Sequence, residues 1–215
     1  MIGCRNLGTS GGPSARVRVA LDGRTVDSWI ATTASPFFLR FVPLPAGALV
    51  GDGAYARLEI SSAAEPAGAA VSVGIEQFDV QSAGHILYGF EAGWQEQEFN
   101  PATGRLWRWS SERSTVHVEH GGKDLVLRIT GESPLRYFDK PPHVTIKAGE
   151  VVLLDTAPAA DFDYTVKVPA KTLEQSADLI TLETDHVFVP ADRSTSLDRR
   201  HLGLRVYSVE LRPAF

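Results

Sequence analysis

The alternation of apolar and polar residues is the feature of this sequence that most restricts its fold. In the segment RVRVALDG, Val17, Val19 and Leu21 recur at every second position, and similar segments follow to the end of the chain. Side chains alternate between the two faces of a β-strand, so this period gives each segment one apolar and one polar face. Helical periodicity is nearly absent, and the best helix candidate, Ala170–Leu179, predicts one turn at most.

These segments are about 5–8 residues long and are bounded by Gly, Pro, Asp and Asn, which is typical of strands joined by turns. Strands that bury one face form two antiparallel sheets packed against each other. The sequence therefore predicts an all-β fold of tandem antiparallel β-sandwiches with jelly-roll-like connections.

The two halves of the chain resemble each other. Three pairs of segments are similar in their order of strands and turns: residues 7–29 with 129–155, 37–62 with 162–185, and 64–82 with 188–212. The third pair aligns Phe78 with Tyr207. We therefore predict two sandwich units, residues 1–84 and 85–215. Residues 87–126 have no counterpart in the first half, so we expect the first unit to lack its opening strands. Either these strands lie upstream in a longer protein, or the second unit supplies the missing edge; an incomplete sandwich would otherwise expose an edge strand.

The composition indicates which partners and which covalent cross-links the chain is expected to have. The chain has 215 residues, a formal net charge of -5 and no block of basic residues. Nucleic acid is not a predicted partner, because binding phosphates needs clustered Lys and Arg. The single cysteine, Cys4, predicts no internal disulfide. Neither a signal peptide nor an apolar run of the ~18 residues that span a membrane is predicted.

Three tryptophans fall in the segment GWQEQEFNPATGRLWRWSSE. Trp107 and Trp109 are two residues apart and share one strand face, whereas Arg108 points to the other face. Two indoles side by side form a flat surface for stacking a sugar ring, and they equally fill the core of a sandwich. Trp94 follows a glycine in a predicted loop, which makes it the better candidate for an exposed ligand contact.

Two loops carry further candidate ligands. In GESPLRYFDKPP, the side chains of Glu132, Arg136 and Asp139 could hold sugar hydroxyls, or an Arg–carboxylate pair could simply fix the loop. Tyr137 lies in the same loop. In DRRHLG, Arg199 and Arg200 offer fork-shaped donors to a hydroxyl-rich or anionic ligand. The alternative is an ion pair that ties this loop to a neighbouring strand, with three candidate partners: Glu96, Glu98 and Glu132.

Patterns for metals, cofactors and catalysis are weak. His117 and His120 are three residues apart, which on a strand places them on opposite faces, so we predict no shared zinc ion. Aspartates in loops, such as Asp192 and Asp198, could bind calcium, but the sequence contains no calcium-binding loop motif. The sequence predicts no cofactor and no catalytic constellation, and the carboxylates of Glu96 and Glu98 are not marked as a hydrolytic pair.

The quoted segments, together with VPADRSTSLDRRHLGLRVYSVEL and PFFLRFVPLPAGALVGDGAYARLEI, resemble the C-terminal extracytoplasmic β-sandwich regions of bacterial membrane glycosyltransferases of the mannosyltransferase type. Those regions carry a Gly-Trp plus acidic segment, a Trp-Arg-Trp strand and a terminal Asp-Arg-Arg-x-Leu-Gly motif. The resemblance implies a non-catalytic accessory domain outside the cytoplasm that handles a glycan or lipid-linked sugar. It also implies a membrane-embedded transferase portion upstream as a partner.

The leading functional hypothesis is therefore a carbohydrate-binding module. Its candidate ligand-binding residues are Trp94, Trp107, Arg136, Tyr137 and Asp139, followed by Arg199 and Arg200. One alternative is a purely structural or protein-interaction domain, in which all these residues pack or anchor loops. Another alternative is a hydrolase or lyase on a jelly-roll scaffold.

Overall fold

The described chain is all-β, as the alternation predicts. The structure is a computed structural model that describes residues 1–34, 37–49, 53, 55–82 and 84–214. About 50% of the chain is strand and 6% is helix, and the described strands form four antiparallel sheets. The chain divides into two compact units, Met1–Val80 (unit 1) and Gln81–Phe215 (unit 2). The described residues thus confirm the predicted class of tandem antiparallel β-sandwiches.

Unit 1 is a sandwich of two short sheets. The strands of its described residues are β1 (Ile2–Asn6), β2 (Ser14–Leu21), β3 (Arg24–Ala31), β4 (Phe37–Arg40), β5 (Leu58–Glu65) and β6 (Val73–Phe78). One sheet has the order β4-β1-β6 and the other β3-β2-β5. Ile2 and Cys4 from one sheet pack with Val19 from the other, which fills the space between them. Residues 50–52 and 54, within the second similar segment, lie outside the described residues.

Unit 2 is larger and is also a two-sheet sandwich. Its strands are β7 (Leu87–Phe90), β8 (Glu98–Asn100), β9 (Arg105–Trp109), β10 (Arg113–Glu119), β11 (Leu125–Glu132), β12 (Val144–Ala148), β13 (Val151–Thr156), β14 (Asp161–Val168), β15 (Leu179–Thr184) and β16 (Arg205–Pro213). Its sheets have the orders β13-β12-β15-β10-β7 and β14-β11-β16-β9-β8. The one α-helix among its described residues, α1, covers Ala170–Gln175, within the segment where the sequence predicts a short helical turn.

The two units have the same strand order where their sequences are similar. The order β4-β1-β6 in unit 1 corresponds to β14-β11-β16 in unit 2, and β3-β2-β5 corresponds to β13-β12-β15. Unit 2 continues each sheet by two strands, with β10 and β7 beyond β15, and β9 and β8 beyond β16. Among the described residues, no strand occupies the equivalent positions beside β5 and β6.

A shared irregularity fixes the alignment of the two units more finely than the sequence does. The β1–β6 pair and the β11–β16 pair each contain one register shift, a β-bulge. Two residue pairs before the shift, Phe78 lies opposite Ile2 and Val209 lies opposite Ile129. Phe78 is therefore equivalent to Val209, and its sequence alignment with Tyr207 is wrong by two residues. Short strands with few identical residues do not fix the position of a bulge, so the sequence pattern could not detect this offset.

Candidate functional site

Trp94 lies in the core of unit 2 and is not exposed in a loop. Its side chain is 7% exposed, and its indole Nε1 donates a hydrogen bond to the Thr115 carbonyl at 2.9 Å. It packs edge-to-face on Phe90 with 5.0 Å between ring centroids. Gly93 has φ 84°, and a Cβ there would meet the Arg113 carbonyl oxygen at 1.9 Å. The glycine therefore allows a close packing of the backbone, and the predicted exposure of Trp94 in a loop is wrong.

Strand β9 presents its tryptophans on the outer face of the sheet. Arg108 lies opposite the core residue Val206, and Trp109 lies opposite Arg205. Residues directly opposite in an antiparallel pair share a face, so Arg108 faces the sandwich interior. Its guanidinium carbon lies 4.9 Å from the Phe90 ring centroid, and its Nη1 donates to the Gln95 carbonyl at 3.0 Å. The prediction that the indoles share a face is confirmed, but they do not fill the space between the sheets.

The two indoles on this face have different environments. Trp109 is 4% exposed, because Phe188 and Leu202, which lie in the segment between β15 and β16, cover it. The Phe188 ring meets the Trp109 ring edge-to-face at 5.6 Å and stacks on Tyr137 at 3.9 Å. Trp107 packs on the margin of this group and stays partly exposed. Of the two β9 indoles, Trp107 thus keeps a surface accessible to a ligand.

Trp107 belongs to a continuous group of aromatic and charged side chains. We call this group the Trp107 cluster; it consists of Glu98, Trp107, Glu132, Asp198, Arg200, Arg205 and Tyr207. The indole Nε1 of Trp107 donates to Glu98 Oε2 at 3.0 Å. The guanidinium carbon of Arg205 lies 5.1 Å from the Trp107 ring centroid and 4.7 Å from that of Trp109. Arg205 therefore contacts both indoles, and these cation–π contacts fix the rings in place.

Glu132 anchors one side of the Trp107 cluster. Its carboxylate accepts from Arg205 Nη1 at 3.2 Å and from the Tyr207 hydroxyl. Burial, followed by the hydrogen bond to Glu132, raises the pKa of the Tyr207 phenol. The guanidinium carbon of Arg105 lies 4.6 Å from the Tyr207 ring centroid on this side. Tyr207 therefore stays protonated and holds one carboxylate oxygen of Glu132 in position.

Arg200 anchors the other side of the Trp107 cluster. Its Nη1 lies 3.0 Å from Glu98 Oε1, and its Nη2 lies 2.7 Å from Asp198 Oδ2. The hydrogen bond from Arg200 is the main cause of the lowered pKa of Asp198. The ion pair between the DRRHLG loop and a neighbouring strand is thus present. The side chains of Arg200 and Glu98 are nevertheless 38% and 31% exposed, so a ligand could still reach them.

The structure brings some of the predicted ligand residues together and separates others. Trp107 and Arg200 meet through Glu98, and Tyr137 lies nearby in the aromatic group around Phe188. Arg136 is exposed, with its guanidinium carbon 4.7 Å from the Tyr137 ring centroid. The remaining two predicted residues, Asp139 and Arg199, are exposed.

A cleft adjoins the Trp107 cluster at the edge of the sandwich. Its volume is about 190 Å³, and Trp107 and Tyr207 line both the cleft and the cluster. Tyr88 and Phe90 add aromatic surface, and further polar groups come from Gln97, Arg108 and Ser208. Pockets for drug-sized ligands are typically ~300–1,000 Å³. This cleft is smaller and suits a single ring or one end of a longer ligand.

Sequence reasoning missed Arg205 and Tyr207, which alternate with core residues on the last strand. The sequence does predict Glu132 as a residue that could hold sugar hydroxyls, and Glu98 as a candidate ion-pair partner. In RVYSV, period two places Arg205 and Tyr207 opposite Val206 but on the same face as Val209, so the sequence pattern alone does not separate them from the core. The β-bulge between β11 and β16 makes this separation. Their meeting with Trp107 depends on the pairing of β16 with β9, whose paired residues are about 100 positions apart in the chain.

The described residues also bear on metals and membranes. His117 pairs with Glu91, and His120 lies 3.2 Å from Asp178. Within the described ranges, no group of three or more His, Cys, Asp or Glu side chains could hold a metal ion. Nor does any helix in this part of the chain reach the length and apolarity needed to span a membrane.

Comparison with known proteins finds no relative of this chain. The chain matches no protein-family model, no curated protein and no solved structure.

Proposed function

We propose that unit 2 is a non-catalytic carbohydrate-binding module whose ligand contacts the Trp107 cluster. The observation that carries this proposal is the partly exposed indole of Trp107 held among hydrogen-bonding groups beside a cleft. The C–H face of a sugar ring packs on an indole, while its hydroxyls donate to carboxylates and accept from guanidinium groups. These groups are ordered by their mutual contacts, which lowers the entropy lost on binding.

The charges of the Trp107 cluster favour a neutral ligand. Three carboxylates, those of Glu98, Glu132 and Asp198, face the guanidinium groups of Arg200 and Arg205, and Arg105 adds a third cation over Tyr207. Opposite charges therefore balance over the Trp107 cluster and the adjoining Arg105, so a strongly charged ligand would meet as much repulsion as attraction. A neutral glycan, or the neutral sugar part of a lipid-linked saccharide, fits this balance.

The cellular location of the module and its attachment to a larger protein are proposed from the resemblance to glycosyltransferase regions. We propose that the module works outside the cytoplasm as an accessory part of a glycan-processing membrane protein. This part of the proposal is supported only by the motifs Gly-Trp, Trp-Arg-Trp and Asp-Arg-Arg-x-Leu-Gly.

The test is binding of the chain to an array of neutral glycans, followed by calorimetry on the best ligand. We expect Trp107→Ala to weaken binding by about tenfold or more, which corresponds to ~1.4 kcal/mol. Leu106→Ala is the matched control, because Leu106 is 46% exposed on the same strand and points to the other face. Equal binding by both variants, or no binding of the wild-type chain to any glycan, would refute the proposal.

A structural or protein-interaction domain is the second candidate. The burial of Trp94 and Trp109, and the stacking of Tyr137 on Phe188, show that these aromatic residues stabilise the fold. If the glycan test fails while both alanine variants stay folded, this second function is the one to adopt.

A further inference from the structure

One side of unit 1, formed by strands β5 and β6, is open and suited to binding a partner. Strands β5 and β6 lie at the ends of their sheets, and their counterparts β15 and β16 in unit 2 lie inside sheets. In unit 2, β10 pairs with β15 and β9 pairs with β16. In the part of the chain that the structure describes, the same sandwich thus occurs once with and once without the strands that complete this side.

Apolar side chains mark the difference between the two units. Ile75 and Phe78 of β6 lie opposite the core residues Cys4 and Ile2, so they point toward the space between the sheets. They are nevertheless 51% and 52% exposed. The bulge alignment makes Val206 and Val209 their equivalents in unit 2, where these residues are 3% and 7% exposed. Inward-facing side chains of unit 1 thus remain uncovered where unit 2 is closed.

The backbone of these edge strands is also suited to pairing. Neither β5 (LEISSAAE) nor β6 (VGIEQF) contains the Lys or Pro residues that commonly block an edge. The edge side chains of Ser61, Ser62 and Ala63 are small and exposed, so they leave room for a strand to approach.

Unit 2 shows what kind of segment closes this side. Strands β9 and β10 follow each other in the chain, separated only by residues 110–112, and together they cover the edges of both sheets. Val116 and Val118 of β10 alternate with polar residues and are 5% and 0% exposed. One segment of about this length and alternation therefore closes a sandwich of this order on both sheets.

We propose that unit 1 binds a strand–turn–strand segment of another protein chain, with one strand added to β5 and the other to β6. The segment has the chemistry of Arg105–Glu119: two short strands joined by a connection of a few residues, with alternating inward apolar residues on the strand that pairs with β5. Main-chain hydrogen bonds to the two edges supply affinity, and apolar side chains that pack on Ile75 and Phe78 supply specificity. Unit 1 is thus a strand acceptor.

The experiment uses the full chain and a synthetic peptide with the sequence of Arg105–Glu119 as the probe. We expect the peptide to slow amide hydrogen exchange in β5 and β6 at least tenfold. A peptide with Val116→Asp and Val118→Asp lacks the two valines that share one core cluster with Val206 and Val209 in unit 2, and it should leave exchange unchanged. In the chain, Ile75→Lys should abolish the effect. Val152→Lys should not, because Val152 is 51% exposed on β13, an edge strand of the other unit.

Two results would overturn the proposal. If neither edge gains protection from the peptide, unit 1 does not accept such a segment. If the chain alone forms dimers in sedimentation that Ile75→Lys dissociates, then a second copy of the chain covers this side. The peptide variants keep the test decisive even if Ile75→Lys destabilises unit 1.

Discussion

At the scale of single residues, Trp94 shows most clearly where a local sequence pattern is insufficient. A tryptophan after a glycine in a polar segment resembles an exposed loop residue. The structure buries the side chain against Phe90 and bonds its Nε1 to the Thr115 carbonyl. The glycine that suggested a loop is required because the Arg113 backbone lies so close.

The burial of Trp94 predicts a large effect on stability. Replacing a buried tryptophan by alanine leaves a cavity and costs ~3–5 kcal/mol. We expect Trp94→Ala to lower the free energy of unfolding of unit 2 by this amount in urea denaturation. Trp107→Ala is the comparison, and it should cost clearly less because Trp107 is partly exposed. Similar losses in the two variants would show that Trp94 does not occupy the core.

At the scale of elements, β9 separates what periodicity can predict from what it cannot. The spacing of Trp107 and Trp109 requires that they share a face, and they do. The spacing does not say which face is covered by the second sheet. The pairing of Arg108 with Val206 decides this and turns the arginine inward.

A histidine on strand β10, His117, is expected to make the stability of unit 2 depend on pH. The hydrogen bond from His117 to Glu91 on the β7 side, at 3.2 Å, is the main cause of the raised pKa of His117. Protonated His117 is thus favoured in the folded state. Its stabilisation is fully present below the unfolded pKa of about 6.5 and is lost as the pH rises through the raised folded value.

We expect wild type to exceed His117→Gln in stability by ~0.5–1 kcal/mol at pH 5.5, the size of a modest ion pair. The difference should shrink by pH 8.5, because Gln does not titrate. Thermal unfolding of both proteins at the two pH values measures this. A difference that is constant, or that grows with pH, would contradict the assigned role of the Glu91 contact.

At the scale of each whole unit, the closing strand comes from far along the chain. In unit 1, β6 pairs with β1, and in unit 2, β16 pairs with both β11 and β9. Strand β16 is therefore the central strand of its sheet, although it is the last strand of the chain. Folding of unit 2 must wait for contacts between residues that are distant in sequence.

This arrangement predicts the result of a C-terminal truncation. A chain that ends at Gly203 lacks β16, exposes the edges of β11 and β9, and loses the core residues Val206 and Val209. We expect unit 2 to lose its cooperative folding, with collapse of the dispersed amide and methyl NMR signals of β11 and β14. A chain that ends at Pro213 keeps β16 and serves as the control. Native-like spectra from the shorter chain would contradict the central position of β16.

The class of fold, the strand character of most segments and the existence of two related halves can be predicted from the sequence alone. Period-two alternation and turn residues are local, so they can be detected without knowing what the chain contacts. Trp107 and Arg200 were also found as candidates, because an aromatic strand and an Arg-rich loop are visible in the sequence.

Which faces are covered and which candidate residues meet depends on the tertiary structure. The outward direction of the β9 indoles, the burial of Trp94, the place of Arg205 between two rings and the open side of unit 1 all depend on pairing between distant strands. A side chain becomes buried only when a second surface of the protein packs against the surface that carries it. A sequence pattern describes one surface, and the second surface is supplied by residues tens of positions away.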